Sequence, residues 1–137
     1  MSAAFSEFDT RKIAKREYYL LADFTYVDEV FGSITAKQGF HTNFASLDSL
    51  HNVVLFPVWA LVAGYGDKAA TIHDWLYGGH PIVRADGSFY YPTRKECDEI
   101  FFRALRCEGI ARWRAQIMYA GVRVGGKSHY ASPASAA

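Results

Sequence analysis

The stretch from Glu17 to Phe44, EYYLLADFTYVDEVFGSITAKQGFHTNF, decides the fold class of this 137-residue chain. It contains three runs that are rich in β-branched or aromatic residues, namely YYLLADFTYV, GSITA and GFHTNF, and polar residues or glycine separate them. Such runs are typical of β-strands, and the residues between them are typical of turns. We therefore predict an antiparallel meander of two or three strands at the N-terminal end of the domain.

The sequence that follows predicts helices and a hairpin. Asp67 is a suitable N-cap for a helix that runs through KAATIHDWLY and stops at Gly78-Gly79. In residues 80–91, Asp86-Gly87 supplies the positive-φ turn that joins IVRA to SFYY in a two-stranded hairpin. Residues 46–63 are expected to contain a further helix.

The C-terminal part of the chain predicts two more helices. Thr93, with Glu96 three residues later, is the capping-box pattern that begins the first of them, and Gly109 stops it. Its apolar face, defined by helical spacing, comprises Cys97, Phe101, Ala104 and Leu105. The second helix is expected from about Ala111 to Val124. The residues predicted on its buried side are Trp113, Ile117 and Ala120.

These elements indicate one α+β domain, which suits a length of 137 residues. An N-terminal antiparallel β meander is followed by three or four helices, and the β-hairpin is inserted between two of them. We predict a flexible N-terminal arm at residues 1–16, a single α+β domain at residues 17–126 and an extended C-terminal tail at residues 127–137.

Charge and hydropathy limit the classes of partner. With 15 basic and 14 acidic residues the formal net charge is +1, so no bulk field recruits nucleic acid and no nucleic-acid partner is expected. The most apolar run, residues 53–63, is shorter than the roughly 20 residues that cross a bilayer. We therefore predict no transmembrane segment, and the polar N-terminus predicts no signal peptide.

Several chemical classes lack their usual motifs. The sequence contains no H-E-x-x-H, no P-loop, no G-x-G-x-x-G and no G-x-S-x-G, which argues against zinc, nucleotide and serine-hydrolase sites. Cys97 and Cys107 lie ten residues apart in one predicted helix, a span of about 15 Å that is too long for a disulfide. Both cysteines are expected to be free thiols.

The candidate chemistry lies at the adjacent pair His73–Asp74. Successive helix residues point about 100° apart, so one side chain can activate water while the other holds a cation or orients a loop. An imidazole acts as a general base when a carboxylate fixes its tautomer, and antiparallel packing of the next helix would place Asp98 opposite His73. Tyr77 lies on the same helix face as His73. Arg94, four residues before Asp98, is expected to pair with Asp98 and keep it ionised.

Four ordered segments resemble a known family. They are GFHTNFAS (39–46), AATIHDWLY (69–77), RKECDEIFFRAL (94–105) and MYAGVRVGG (118–126). They look like the domain of unknown function 1353 that bacteriophages and prophages encode, over roughly residues 18–126. The resemblance implies a phage origin and a role in the virion, including its tail, or in lysis. It also implies other phage structural proteins as partners and synthesis in the host cytoplasm before assembly into the virion.

The middle of the chain also resembles the secreted and parvoviral phospholipases A2. AATIHDWLY is similar to their active-site helix, and CDEIFF is similar to the helix whose Asp orients the catalytic His. This resemblance implies that His73 activates water, that Tyr77 and Asp98 brace it, and that Asp74 ligates Ca²⁺. Calcium would then polarise the ester carbonyl of a phospholipid.

The segment GFHTNFAS is expected to form a supporting loop with Thr42, Asn43 and Ser46. The phage family has Asp where this chain has Asn43, so a metal carboxylate from this region is either lost in this chain or moved to Asp48. The glycine-rich calcium loop of the phospholipases is replaced here by VVLFPVWA.

Three functions therefore remain open. The first is a calcium-dependent hydrolase of the host envelope, acting on phospholipid esters or on the cell wall, with His73 reachable by solvent in a concave site. The second is a structural or assembly component of the phage particle, with His73 shielded in a buried network and aromatics such as Trp59, Tyr90 and Tyr91 on a contact surface. The third is a small intracellular regulator encoded by a prophage.

Overall fold

A computed structural model of the chain describes residues 3–14, 17–42, 64–125 and 130–131. The strands are β1 (Ala4–Phe5), β2 (Thr10–Ala14), β3 (Glu17–Leu20), β4 (Phe24–Asp28), β5 (Gly32–Ala36), β6 (His41–Thr42), β7 (Ile82–Val83) and β8 (Phe89–Tyr90). The helices are α1 (Asp67–Tyr77), α2 (Arg94–Cys107) and α3 (Arg112–Gly125). This confirms the predicted α+β class, in which N-terminal antiparallel strands are followed by helices.

The strands form two antiparallel sheets. One sheet has the order β1-β4-β5-β7-β8 and the other has the order β2-β3-β6. Every second residue of β4 and β5 is buried, which is the period of a sheet that packs one face against another layer. Phe24, Tyr26 and Ile34 on this face belong to the same buried core as Ile72 of α1 and Phe101 of α2. The larger sheet therefore supports the two helices that carry the His and Asp motifs.

The meander has one strand more than predicted. The run YYLLADFTYV is divided between β3 and β4, which belong to different sheets, because the chain turns between them. The Asp23 carboxylate accepts a hydrogen bond from the Gln38 backbone N–H at 2.8 Å, and the Leu20 N–H donates to the Phe40 carbonyl at 3.0 Å. These bonds fix the corner at which the chain passes from one sheet to the other.

The segment predicted as a flexible N-terminal arm carries two strands. β1 pairs with β4 through Ala4↔Val27 and Phe5↔Tyr26, and β2 pairs with β3. The physical reason is aromatic packing, because the rings of Phe5 and Phe8 lie 5.7 and 4.7 Å from the ring of Phe24. Residues 3–14 are therefore part of the folded domain.

Helix caps explain where α1 and α2 begin. The Thr93 side chain accepts from the Glu96 N–H at 3.2 Å and the Glu96 carboxylate accepts from the Thr93 N–H at 2.9 Å, which confirms the predicted capping box of α2. The predicted N-cap of α1 is wrong by one residue. Gly66, in the left-handed conformation, is the N-cap, and Asp67 is the first helical residue, where its charge favours the helix dipole.

The buried face of α3 was predicted wrongly. Its buried residues are Ala115, Met118, Gly121 and Val122. Trp113 is 50% exposed, Ala120 is exposed and Ile117 is only partly buried. Small residues allow α3 to approach the core closely, so the bulky Trp113 is left at the surface.

The hairpin, the cysteines and the undescribed segments complete the comparison of the structure with the sequence predictions. The hairpin is confirmed, because β7 pairs with β8 and Gly87 has a φ of 84° in the turn. Cys97 and Cys107 are free thiols. Among the described residues, no helix is long and apolar enough to cross a membrane. The helix predicted within residues 46–63 lies outside the described residues, as does the tail apart from residues 130–131.

Replacing Gly66 with Ala is expected to lower the free energy of unfolding by about 2–4 kcal/mol. Gly66 has a φ of 79°, and an added Cβ would lie 2.6 Å from Leu105 Cδ2 and 2.9 Å from Met118 Cε. Gly39→Ala is the matched control, since Gly39 has a φ of 88° and nothing within 4 Å of the added carbon. Urea unfolding measures both variants. Equal losses would show that crowding at the start of α1 contributes nothing.

Candidate functional site

The site lies between α1 and α2, which pack antiparallel. His73 Nε2 lies 2.7 Å from Asp98 Oδ1, and at the other end of the helix pair the Ala69 backbone N–H donates to Glu108 at 3.1 Å. The contact between His73 and Asp98 that the sequence predicted is therefore present. Glu108 has a second effect, because its carboxylate caps the free N–H groups at the start of α1.

Asp98 is the centre of a buried polar cluster. Its side chain is fully buried, and its Oδ1 accepts hydrogen bonds from His73 and from the Tyr77 hydroxyl at 2.5 Å. Its Oδ2 accepts from Arg123 at 2.7 Å. Burial by itself would raise the pKa of Asp98, but the hydrogen bonds from His73, Tyr77 and Arg123 together hold that pKa below its ordinary value. Asp98 is therefore an ionised carboxylate that accepts hydrogen bonds.

An ionised Asp98 determines the tautomer of His73. Because a carboxylate can only accept, Nε2 of His73 must carry the hydrogen of this bond. In the neutral ring the lone pair is then on Nδ1, the atom from which His73 could accept a proton. Within the described residues, no side chain or backbone group is hydrogen-bonded to Nδ1. The geometry is that of an oriented general base.

Tyr77 completes the pocket around the imidazole. Its ring centroid lies 4.0 Å from that of His73, and Phe101 contacts the imidazole from α2 with a centroid distance of 4.8 Å. Burial first, and then the hydrogen bond to Asp98, raises the pKa of Tyr77, so the hydroxyl remains protonated as a donor. Tyr77 therefore holds Asp98 in place and has no free proton-accepting role.

The cation beside Asp98 is Arg123 and not Arg94, which corrects the sequence prediction. Arg94 donates instead to the carbonyl groups of Val122 and Arg123 near the C-terminal end of α3, at 2.9 and 2.5 Å. This places a positive charge on the negative end of a helix and fixes α3 against α2. The Arg123 side chain can then reach Asp98. Hydrogen bonding to Asp98 raises the pKa of Arg123.

Asp74 points away from the cluster, as the 100° step between helix neighbours requires. It accepts a hydrogen bond from the Thr42 hydroxyl of β6, so the predicted contact between this helix and the supporting loop exists at Thr42. Asn43, Ser46 and Asp48 lie outside the described residues.

At this corner the described residues supply the Asp74 carboxylate and the Thr42 hydroxyl, and the other predicted ligand, Asp48, lies outside the described residues. Asp74 and Thr42 together offer fewer ligands than the six to eight oxygens that Ca²⁺ takes. In the described part of the chain there is no group of three or more His, Cys, Asp or Glu side chains that could hold a metal ion.

The His73 side chain is enclosed in the structure. His73 is 1% exposed, which differs from the solvent-reachable His that the hydrolase prediction requires. A short stretch of the tail covers the end of α1, where the Ala131 N–H donates to the Tyr77 carbonyl at 2.6 Å and the Tyr130 ring packs edge-on against Tyr77. Tyr130 also donates to the Pro92 carbonyl at 3.0 Å.

The aromatic surface that the structural hypothesis requires is present in part. Tyr91 is 48% exposed, whereas Tyr90 is half-buried and stacks on Phe31 with 5.6 Å between ring centroids. Trp59 lies outside the described residues.

Comparison with known proteins identifies a family and no individual relative. The model of a family described as a protein of unknown function, DUF1353, matches residues 18–122. This range contains most of β3, all of β4 to β8, α1 and α2, and most of α3, and thus His73, Tyr77 and Asp98 of the polar cluster. No curated protein and no solved structure matches the chain.

Proposed function

The chain belongs to the DUF1353 family of proteins of unknown function, and we propose that it is a hydrolase in which His73 is the general base and Asp98 orients it. The observation that carries the proposal is the 2.7 Å hydrogen bond from His73 Nε2 to a fully buried, ionised Asp98. This bond leaves Nδ1 as the proton acceptor. Tyr77 and Arg123 serve as positioning residues because they hold Asp98 and do not contact the reacting atoms.

The proposed reaction consumes one water per ester bond. His73 Nδ1 takes a proton from water while the water oxygen forms a bond to the ester carbonyl carbon. The tetrahedral intermediate then expels the alcohol oxygen, which receives the proton from the imidazolium, so the products are a carboxylic acid and an alcohol. Asp98 stays ionised throughout and stabilises the imidazolium.

The substrate and setting are proposed from resemblance. The His-Asp-x-x-Tyr arrangement of residues 73–77, with Asp98 on the next helix, favours a phospholipid ester, in the manner of phospholipases A2. The similarity of the four ordered segments to phage and prophage proteins supports a virion- or tail-associated protein that acts on the host envelope. The same resemblance suggests that Asp74 binds calcium, so activity is measured both with calcium and with a chelator.

One observation favours a second candidate, a non-catalytic component of the phage particle. His73 is 1% exposed and Asp98 is fully buried, as expected for a polar network that holds helices together. In this candidate His73 is needed only as a hydrogen-bond donor to Asp98. The two candidates can be told apart by replacing His73 with a side chain that donates to Asp98 but has no basic nitrogen. The hydrolase would lose its activity, whereas the structural component would keep its stability.

The deciding experiment compares His73→Gln with His73→Ala. Hydrolysis of phospholipid vesicles and of purified peptidoglycan is followed with calcium or with a chelator, and the free energy of unfolding is measured for each protein. Loss of a general base lowers the rate by about 10²–10⁴-fold. We expect both variants to lose that activity and His73→Gln to keep more of the stability, because its amide can still donate to Asp98. Full activity in His73→Gln overturns the hydrolase proposal.

A further inference from the structure

The turn from α2 into α3 carries a cluster of exposed aromatic and basic side chains. We define the aromatic–arginine patch as Tyr65, Arg112, Trp113 and Arg114. Trp113 is 50% exposed, Tyr65 is 43% exposed and Arg112 is exposed. The residues come from two places in the chain, the segment before α1 and the first turn of α3, so the fold brings them together.

Arg114 holds the two aromatic rings in place. Its guanidinium carbon lies 3.8 Å from the ring centroid of Tyr65 and 4.6 Å from that of Trp113. Cation–π contacts of this kind fix the rings at the surface without burying their edges. Tyr65, Trp113 and Arg114 therefore form one contiguous cluster and are not independent exposed side chains.

In the segments that form the patch and its edge, the basic side chains Arg106, Arg112, Arg114 and Lys68 outnumber the acidic Asp67 and Glu108. The patch lies at the N-terminal end of α3, where the helix dipole is positive, and the first turn of α3 has no acidic residue. Glu108, the acid that precedes the turn, directs its carboxylate to the backbone N–H groups of Lys68 and Ala69. Arg106, in the last turn of α2, is exposed and donates to the Ile110 carbonyl. A partner with negative charge is favoured at this surface.

We propose that the aromatic–arginine patch binds an anionic lipid surface. Half-exposed Trp and Tyr rings suit the headgroup region of a bilayer, where an apolar ring body and a polar edge are both accommodated. The exposed guanidinium of Arg112 beside them is suited to pair with a lipid phosphate. Single-stranded nucleic acid fits less well, because bases stack on ring faces and Arg114 already covers one face of each ring.

This inference deepens the proposed function by naming the surface that presents the substrate. Tyr65 and Gly66 lead directly into α1, and His73 follows six residues after Asp67, about 9 Å along the helix. Lipid docked at the patch is thus held near the start of the helix that carries the proposed base. Binding does not require hydrolysis, so the two proposals can fail separately.

The test is cosedimentation with vesicles of phosphatidylglycerol or phosphatidylcholine that have ether-linked chains and cannot be hydrolysed at an ester. We expect the parent chain to bind phosphatidylglycerol vesicles, to bind phosphatidylcholine vesicles much more weakly, and to lose binding as salt rises. Arg112→Ala lowers the partition coefficient about fivefold, and the double variant Arg112→Ala/Trp113→Ala lowers it by more than about tenfold.

Phe89→Ala is the matched control, because Phe89 is also an exposed aromatic residue, with 68% of its surface accessible. Phe89 is on β8, near the N-terminal end of α2, whereas the patch lies near the C-terminal end of α2, about 20 Å away. Equal binding to both kinds of vesicle overturns the proposal, and so does a loss in Phe89→Ala that the patch variants do not show. Stronger binding to a single-stranded oligonucleotide than to vesicles also overturns it. Vesicle binding without ester hydrolysis contradicts the hydrolase proposal and leaves the lipid-binding proposal standing. Hydrolysis of a soluble ester without vesicle binding contradicts the lipid-binding proposal and leaves the hydrolase proposal standing.

Discussion

Replacing Asp98 with Asn is expected to lower the hydrolysis rate by about 10²–10⁴-fold while the size of the side chain is kept. The new side-chain amide can turn its nitrogen toward His73, which would then accept through Nε2 and carry its hydrogen on Nδ1. That tautomer has no lone pair where water must be activated. The measurement is kcat on phospholipid vesicles at a pH where the parent protein is active.

The same substitution has a predictable pH signature in stability. The folded-state pKa of Asp98 is depressed, so Asp98 contributes stability above the ordinary Asp pKa of about 4, and that contribution is lost as pH falls through the folded value. The free energy of unfolding of the parent should therefore fall more steeply below about pH 4 than that of Asp98→Asn. Parallel curves for the two proteins would show that Asp98 is not held ionised by its partners.

Asp28→Asn separates chemistry from structure. Asp28 is buried and paired with Arg103 at 2.9 Å, much as Asp98 is paired with Arg123 at 2.7 Å. Both substitutions remove a buried carboxylate from an arginine, but Asp28 does not contact His73. We expect Asp28→Asn to lose stability and to keep its rate per folded molecule. An equal fall in rate for both variants would mean that catalysis responds only to stability.

The core of the site could be predicted from the sequence because local signals fix it. His73 and Asp98 sit on two helices with strong end signals, joined by a hairpin that an Asp-Gly turn identifies. Two such helices pack antiparallel, and the positions of the two side chains follow from the helical rise. Tyr77 follows from its spacing of four residues after His73.

Arg123 could not be predicted in the same way, because its role depends on the rotation of α3. The sequence predicted that Trp113, Ile117 and Ala120 face the core, whereas the buried face of α3 includes the small residues Ala115 and Gly121. The usable signal was the spacing of Ala115, Met118 and Val122 on one face. That spacing places the neighbouring Arg123 at the edge of the core.

The strands near the N-terminus escaped prediction for a different reason. β1 has two residues and β2 has five, which is too short for a hydrophobic period to be recognised in a polar segment. Their position is set by long-range packing, since Phe5 pairs in register with Tyr26 of β4. Short edge strands of this kind are specified by their neighbours and not by their own sequence.

Asp28→Ala is expected to lower the free energy of unfolding by about 3–5 kcal/mol, the usual cost of removing one partner from a buried ion pair. The Asp28 carboxylate accepts from Arg103 Nε at 2.9 Å and from Arg103 Nη2 at 3.1 Å, and also from the Tyr26 hydroxyl at 3.1 Å. It also accepts from the backbone N–H groups of Val30 and Phe31, which close the turn between β4 and β5. Ala leaves all of these donors without their acceptor.

The double variant Asp28→Ala/Arg103→Leu tests whether the loss comes from the uncompensated charge. Arg103 is 24% exposed at its side chain, so after Asp28→Ala its guanidinium stays partly buried without its partner. Replacing it with Leu removes that charge and is expected to restore part of the lost stability, with a coupling free energy of about 1–3 kcal/mol in a double-mutant cycle. Chemical denaturation of the four proteins gives the cycle. Additive losses would assign the effect of Asp28 to the turn and to Tyr26, and not to the ion pair.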